Sequence, residues 1–289
     1  MSTVKRTVYV SGVEPHEQAI SGPTGHPAGR LLAFARGDLL IVETDDEIRF
    51  PTWDDLRRLD LLTLRNQFLG DLDDEPLWSA ELPADFEPPQ GLSLLGLRSL
   101  HGRVPDEVFA LAGRAAQIVA WDRDHQYCGR CGKQTEPVPG ERARQCPACG
   151  LISYPRLSPA IIVLIERGDE ILLARGHQFA PGRFGIVAGF VEPGESLEEA
   201  VQREIHEEVG LQVRDIAYFG SQPWPFPHGI MIGFRAQHAA GDISLDDGEL
   251  AEAGWYGTHN LPNVPPKLSI ARRLIDAWAN ERGIVIAQP

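Results

Sequence analysis

The chain has 289 residues, 43% of them hydrophobic and 24% charged, and its 41 acidic residues against 27 Lys and Arg give a net charge of −14. That length suits about two domains with sizeable cores, and the composition excludes a disordered or fibrous chain. So negative a chain is not expected to attract polyanions nonspecifically; a polyphosphate partner requires metal ions or a local basic patch.

Residues 1–104 carry short strand-like stretches, such as Arg6 to Ser11 and Asp38 to Val42, broken by Pro23, Gly25, Pro27, Pro83, Pro88 and Pro89. A small α+β domain is expected there. Asp38 to Glu87 holds 15 Asp and Glu against 4 Arg, so most of the acidic surplus lies in this third, yet nothing in it has the spacing of a catalytic site. Residues 1 to 12 mix Lys5 and Arg6 with polar residues and contain no apolar signal region. The longest strongly apolar run, Ala160 to Ile165, is far short of the ~18 residues that span a bilayer. A cytoplasmic location is expected.

Residues 105–157 form the second piece. Pro105, followed by Asp106 and Glu107, starts a helix in which Val108, Phe109, Leu111, Ala112, Ala115, Ile118 and Val119 recur at helical spacing. The chain's four cysteines follow as two CxxC pairs, Cys128/Cys131 and Cys146/Cys149. Two tight turns each presenting a pair of thiolates make a tetrahedral zinc site with no open position, a structural staple rather than a catalytic centre. His125, three residues before Cys128, is not expected to be a ligand. Trp121 to Leu157 also reverses the global charge: Arg123, Arg130, Lys133, Arg142, Arg144 and Arg156 outnumber four acids, for a net of +2. A solvated basic surface is the simpler reading of that excess, and phosphate contact the alternative.

Residues 158–289 form the third piece. Ala160 to Ile165 reads as a buried strand, Glu170 to Ala174 as its hairpin partner across Gly168-Asp169, and Phe184 to Val191 as a third strand. Leu211 to Phe219, Ile230 to Gln237 and Ala253 to Tyr256 are further strand candidates. An amphipathic helix is predicted from Ser269 to Asn280, with Ile270, Leu274, Ile275 and Trp278 on one face. No internal repeat is evident in the sequence.

The chemistry concentrates in residues 189–211, GFVEPGESLEEAVQREIHEEVGL. Ser196 as N-cap with Glu199 three residues on forms a capping box, Leu197, Ala200, Val201 and Ile205 supply an apolar stripe, and Gly210 ends the helix. Glu204, Glu207 and Glu208 then stand at i, i+3 and i+4 on one face. An acidic solvent face explains three glutamates alone, but with Glu195 folding back from the preceding loop they suit Mg²⁺ or Mn²⁺, which share coordination with substrate phosphates. The corresponding reaction is metal-assisted attack of water on a polyphosphate.

Gly189, Glu195, Arg203, Glu204, Ile205, Glu207, Glu208, Gly210 and Leu211 resemble the Nudix box, GX5EX7REUXEEXGU, at every specified position. The resemblance implies an α/β/α sandwich, here preceded by a zinc ribbon and the small α+β domain. It implies hydrolysis of a nucleoside diphosphate derivative, with metal ligands among Glu195, Glu204, Glu207 and Glu208.

Downstream, Ser221-Gln222-Pro223-Trp224-Pro225-Phe226-Pro227 alternates prolines with aromatics, which predicts a stiff extended segment, either a rigid cover for the core or a preformed wall for a planar base. SQPWPFP after a Nudix box resembles the NADH pyrophosphatase branch, as do the cysteine ribbon, Tyr154-Pro155-Arg156, Glu249 and Ala271-Arg272-Arg273-Leu274. Where that branch usually carries Ser two residues after the last Pro, this chain has Gly229. The resemblance implies aromatic base contacts from Phe190 and Trp224, pocket lining by Gln222 and Ala271, closure by Tyr154 from the partner subunit of a homodimer, and a further metal-site carboxylate in Glu249. It implies cleavage of NADH or NAD⁺ to NMN(H) and AMP and removal of the NAD cap from RNA 5′ ends, with Glu204, Glu207 and Glu208 catalytic. The base is left open among the box glutamates and Glu249. The alternatives are a Nudix hydrolase for ADP-ribose or another nucleotide, and a zinc-ribbon nucleic-acid-binding regulator on a Nudix scaffold.

Overall fold

In a computed structural model, residues 29–43, 48–72, 75–245 and 248–287 are described; the strand expected at Arg6 to Ser11 and the pair Asp246-Asp247 lie outside them. The chain divides at Arg156/Leu157 into two units.

In the first unit, β1 (Arg30–Ala35) and β2 (Asp38–Glu43) form a tight hairpin. Its two central residues, Arg36 and Gly37, have φ of 54° and 89°, the left-handed pair a two-residue turn requires. β3 (Ile48–Arg49) and the short helix α1 (Trp53–Arg58), capped by Thr52, precede the hairpin of β4 (Arg65–Leu72) and β5 (Glu75–Glu81). β6 (Ser93–Leu95) pairs β2, and β5 pairs β1 in parallel, giving the order β4-β5-β1-β2-β6. Helix α2 (Asp106–Asp124) packs on β1, β4 and β5, burying Leu111, Ala112, Ala115, Ile118 and Val119.

The cysteine module follows as β7 (Glu136–Pro137), β8 (Arg144–Gln145) and β9 (Ile152–Ser153). A buried polar network fastens it to the helix end. Arg144 donates to Asp122 Oδ1 at 2.7 Å and to Thr135 Oγ1 and O at 2.8 Å each, while Gln67 Nε2 of β4 donates to Asp122 Oδ2 at 3.2 Å. Arg142 donates to the Phe68 carbonyl at 2.7 Å. Two of the six basic residues counted in this region are therefore structural; Arg123, Arg130, Lys133 and Arg156 are exposed.

The second unit is built on β10 (Ser158–Arg167), buried from Ala160 through Glu166 because strands flank both its edges. β14 (Gly229–Ala240) runs parallel along one edge; β12 (Val187–Phe190) and β11 (Glu170–Gly176) share the other. β13 (Gln212–Trp224) and β15 (Leu250–Gly257) complete the order β13-β14-β10-β11-β15. Alternation along β10 feeds two cores. Ile161, Val163 and Ile165 meet helix α3 (Leu197–Val209), and Ile162 and Leu164 meet helix α4 (Ile270–Glu281), so the sheet lies between two helices as an α/β/α sandwich.

Two expectations change in detail. The third strand is confined to Val187–Phe190; Phe184 lies in the α4-side core, and Gly185 bridges Ala174. The proline-rich segment is not one extended piece: Ser221–Trp224 ends β13 in register with β14, and Pro225 to His228 make the turn between them.

The units share a connectivity that the sequence does not display. Each has a central parallel pair (β1/β5, β10/β14), a hairpin from the first member (β1/β2, β10/β11), a hairpin into the second (β4/β5, β13/β14), an antiparallel edge strand (β6, β15) and a closing helix on the equivalent three strands.

Candidate active site

Helix α3 begins and ends as its local sequence dictates. Ser196 Oγ accepts from the Glu199 N–H at 3.2 Å, and the Glu199 carboxylate accepts from the Ser196 N–H at 2.7 Å. Gly210 takes φ of 71° and donates to the His206 carbonyl at 3.0 Å. Ala200, Val201, Ile205 and Val209 bury one face, which fixes the rotation of the helix and hence where its glutamates stand.

Arg203 is the hub of the cluster. Its guanidinium donates to Glu195 Oε1 at 2.5 Å and Oε2 at 2.9 Å, to Glu204 Oε1 at 2.9 Å, to Glu207 Oε2 at 3.0 Å and to the Phe190 carbonyl at 2.9 Å. The Arg203 hydrogen bond and then the Glu192 N–H hold the Glu195 carboxyl down to about 2. Glu195, expected as a metal ligand, has both oxygens on Arg203 and acts here as the group that orients the arginine. Glu207 is exposed and shares one oxygen with Arg203.

Glu208 differs from its neighbours. It is 9% exposed, and burial first, then the negative charges of Glu204 and Glu249, push its carboxyl up to about 8. Glu204, Glu208 and Glu249 therefore form an acidic group that Arg203 balances only at Glu204. Three carboxylates, one of them desolvated, offer the hard oxygens that suit Mg²⁺ or Mn²⁺, though among the described residues only the cysteines converge as a metal-holding group. Gly189 has a specific steric role in this group: a Cβ there would stand 1.9 Å from Glu204 Cδ. The glutamate carboxyl occupies the space of the missing side chain.

The aromatic residues lie on the other face of the sheet. Phe190 pairs Ala160, which pairs Met231, which pairs Gln222; one row further out, Ser158 pairs Gly229, which pairs Trp224. Register partners project to the same side, and this is the side of Ile162 and α4. Phe190 is 64% exposed, and the Trp224 ring meets Phe226 edge-on at 5.1 Å. On β12, Gly189 thus faces the carboxylates and Phe190 faces the aromatic side.

Two of the residues expected to line the pocket are engaged within the fold. Gln222 Nε2 donates to the Leu268 carbonyl at 2.7 Å and its Oε1 accepts from the Ile270 N–H at 2.6 Å, so its amide fastens β13 to the start of α4. Ala271 is buried in the α4-side core, 6% exposed. Tyr154 belongs to the first unit, where it is exposed and its hydroxyl donates to Glu141 Oε2 at 2.8 Å. Glu249 is exposed, on the loop before β15, and its carbonyl accepts from the His177 N–H at 3.2 Å.

The four cysteines converge as their spacing predicts, with ligand atoms all within 4.8 Å of one another. Cys128–Cys149 and Cys131–Cys146 sulfurs are 3.5 Å apart and Cys131–Cys149 3.6 Å. A tetrahedron of thiolates at the usual Zn–S distance has edges of about 3.8 Å, so the set fits one Zn²⁺. The Arg130 and Cys131 N–H groups hold the Cys128 thiol down to about 6, which favours the ligating thiolate. His125 turns away, its Nδ1 2.7 Å from the Trp121 carbonyl.

Comparison with known proteins matches three family models along the chain. The family model described as NUDIX domain matches residues 155–278, NADH pyrophosphatase zinc ribbon domain matches 123–154, and NADH pyrophosphatase-like rudimentary NUDIX domain matches 28–121. The chain is 47% identical over 251 residues to the NAD-capped RNA hydrolase NudC of Pseudomonas fluorescens Pf-5, covering 86% of this chain and 90% of that one. It is 51% identical over 212 residues to the protein of the same name from Deinococcus radiodurans, covering 72% and 75%.

Proposed function

The chain belongs to the Nudix hydrolase family, alongside the NAD-capped RNA hydrolases NudC, and from that premise we infer that it hydrolyses the diphosphate of NADH and NAD⁺ to NMN(H) and AMP and removes the NAD cap from RNA 5′ ends. The observation that carries this reading is the arrangement around β12, with a carboxylate cluster that includes the desolvated Glu208 on one side of the strand and the exposed Phe190 on the other. A dinucleotide needs both: charge control at its diphosphate and a stacking surface for a base.

Glu204, Glu208 and Glu249, with the free oxygen of Glu207, are the residues that would hold Mg²⁺ or Mn²⁺. The bound cation supplies neutralisation of the charge that develops on the diphosphate. Arg203 fixes the directions of Glu204 and Glu207, and Glu195 fixes Arg203. A carboxylate of the cluster takes the proton of the attacking water, and Glu208 is the residue on which turnover depends. Trp224 and Phe190 hold base rings. The four thiolates hold a structural zinc. Reduced cysteines with ligand spacing support a cytoplasmic setting, and the resemblance to the NADH pyrophosphatase branch supports a homodimer.

The test is incubation of the purified protein with Mn²⁺ and NADH, NAD⁺, ADP-ribose or NAD-capped RNA, with products identified by mass. NMN(H) and AMP are expected, and both are lost in Glu208→Gln. Unchanged NADH and NAD-capped RNA beside rapid turnover of ADP-ribose would overturn the reading.

A further inference from the structure

The aromatic face contains a polar pair that the reaction described above does not use. Ser158 opens β10, and its N–H donates to the His228 carbonyl at 2.9 Å. Ser158 Oγ and His228 Nδ1 are 3.1 Å apart, and both residues are partly exposed.

The strand register places this pair beside Trp224. Trp224, Gly229 and Ser158 are successive partners on β13, β14 and β10, so they project to one face, with Ser158 about two strand spacings, or ~10 Å, from the tryptophan backbone. The position between them has no side chain. The indole leans over it: a Cβ at Gly229 would stand 3.5 Å from Trp224 Cβ and 3.7 Å from Cδ1. Gly229 thus lets the ring approach the strand that carries Ser158. A planar group stacked on that ring reaches toward the hydroxyl with its edge.

The pair suits either polarity of that edge. With Nδ1 unprotonated, His228 accepts from the Ser158 hydroxyl and leaves its oxygen to accept from an N–H. With Nδ1 protonated, the imidazole donates to Oγ and frees the hydroxyl hydrogen for a carbonyl. An in-plane carboxamide or amino group is the matching ligand chemistry, present in a dinucleotide as the nicotinamide carboxamide and as the adenine amino group.

We propose that the Ser158 hydroxyl, oriented by His228, is a specificity contact for the amide or amino edge of the base that stacks on Trp224. This rests on the NAD(H) reading given above. Loss of one neutral hydrogen bond is expected to raise KM for NAD⁺ about five-fold in Ser158→Ala, with kcat within about twofold of wild type. Ser158→Thr, which keeps the hydroxyl, should restore KM, and His228→Ala should reproduce part of the rise.

Two further substrates separate the sources. A contact with nicotinamide raises KM for NAD⁺ and for nicotinamide purine dinucleotide, whose purine has no 6-substituent, but not for ADP-ribose. A contact with adenine raises KM for NAD⁺ and ADP-ribose but not for the unsubstituted purine analogue. An unchanged KM for NAD⁺, an equal rise on all three substrates, or a fall in kcat at constant KM would overturn the proposal. Failure of the wild-type protein to hydrolyse NAD⁺ would instead overturn the activity itself. Titration of NAD⁺ against tryptophan fluorescence then reads the Ser158 contact independently of turnover.

Discussion

Replacing Glu208 with Gln should stabilise the metal-free protein while abolishing its response to metal. The Glu208 carboxyl moves from an ordinary 4.5 to about 8 because it is buried and faces Glu204 and Glu249. At ~1.4 kcal/mol for each pH unit, ionising it in the metal-free site costs ~5 kcal/mol. The sign follows from proton linkage. Between pH 4.5 and 8 the unfolded chain has released this proton and the folded chain still holds it, so stability falls as pH rises. The penalty is absent below pH 4.5 and complete above pH 8.

Glutamine cannot ionise and shows no such slope. Urea unfolding without divalent cations other than the ribbon zinc should therefore find Glu208→Gln ahead of wild type by ~1 kcal/mol at pH 5.5 and ~5 kcal/mol at pH 8.5. Added Mn²⁺ should reverse the order, because only the carboxylate is a hard anionic ligand. Mn²⁺ affinity of the wild type should rise about tenfold per pH unit up to about pH 8. A wild-type/variant difference independent of pH, or equal stabilisation of both proteins by Mn²⁺, would refute the claim that Glu208 sits uncompensated in the metal site.

Gly189→Ala places a Cβ 1.9 Å from Glu204 Cδ, so the carboxylate must move; kcat/KM should fall by ~100-fold while zinc content stays the same. Cys131→Ser removes one of four converging sulfurs, and metal analysis should show zinc falling well below one per chain with an earlier thermal transition. Arg144→Met leaves Asp122 buried without its cation and should cost about 3–5 kcal/mol in denaturant unfolding, part of which Asp122→Asn in the same chain should recover.

What the sequence made legible was local. The ends of α3 follow from Ser196, Glu199 and Gly210, each acting within four residues, and the cysteine cluster follows from two turns. What it concealed depends on partners distant in the chain. The prolines of Ser221 to Pro227 suggest a stiff extended piece, but pairing with β14 makes the first half a strand and the second half a turn. Gln222 looks like a free hydrogen-bonding group until Leu268 and Ile270, some 46 to 48 residues on, are seen to occupy it. Arg142 and Arg144 count as basic surface by composition, whereas Phe68, Asp122 and Thr135 draw them inward. The shared connectivity of the two units does not show as an internal repeat in the sequence because a strand order constrains apolar alternation and turn geometry, not residue identity.

Departures from that shared connectivity explain why, among the described residues, the glutamate cluster stands in the second unit. In the second unit β12 runs beside the central strand β10, so one step along it, from Gly189 to Phe190, turns from the carboxylates to the aromatic face. In the first unit β3 pairs β2 rather than the central β1, and where β12 would run only a single antiparallel bridge, Thr52 to Arg30, is formed among the described residues. The helix after it is also too short. α3 has 13 residues, enough to be capped, bury a stripe and still present Glu204 and Glu208 one turn apart. α1 has 6, and its acids Asp54 and Asp55 lie in the first turn, with Asp55 committed to the Thr52 cap and to Arg49. Supplying glutamates to the first unit would therefore not create a second active site; it would also need a longer helix and a glycine-bearing strand against β1.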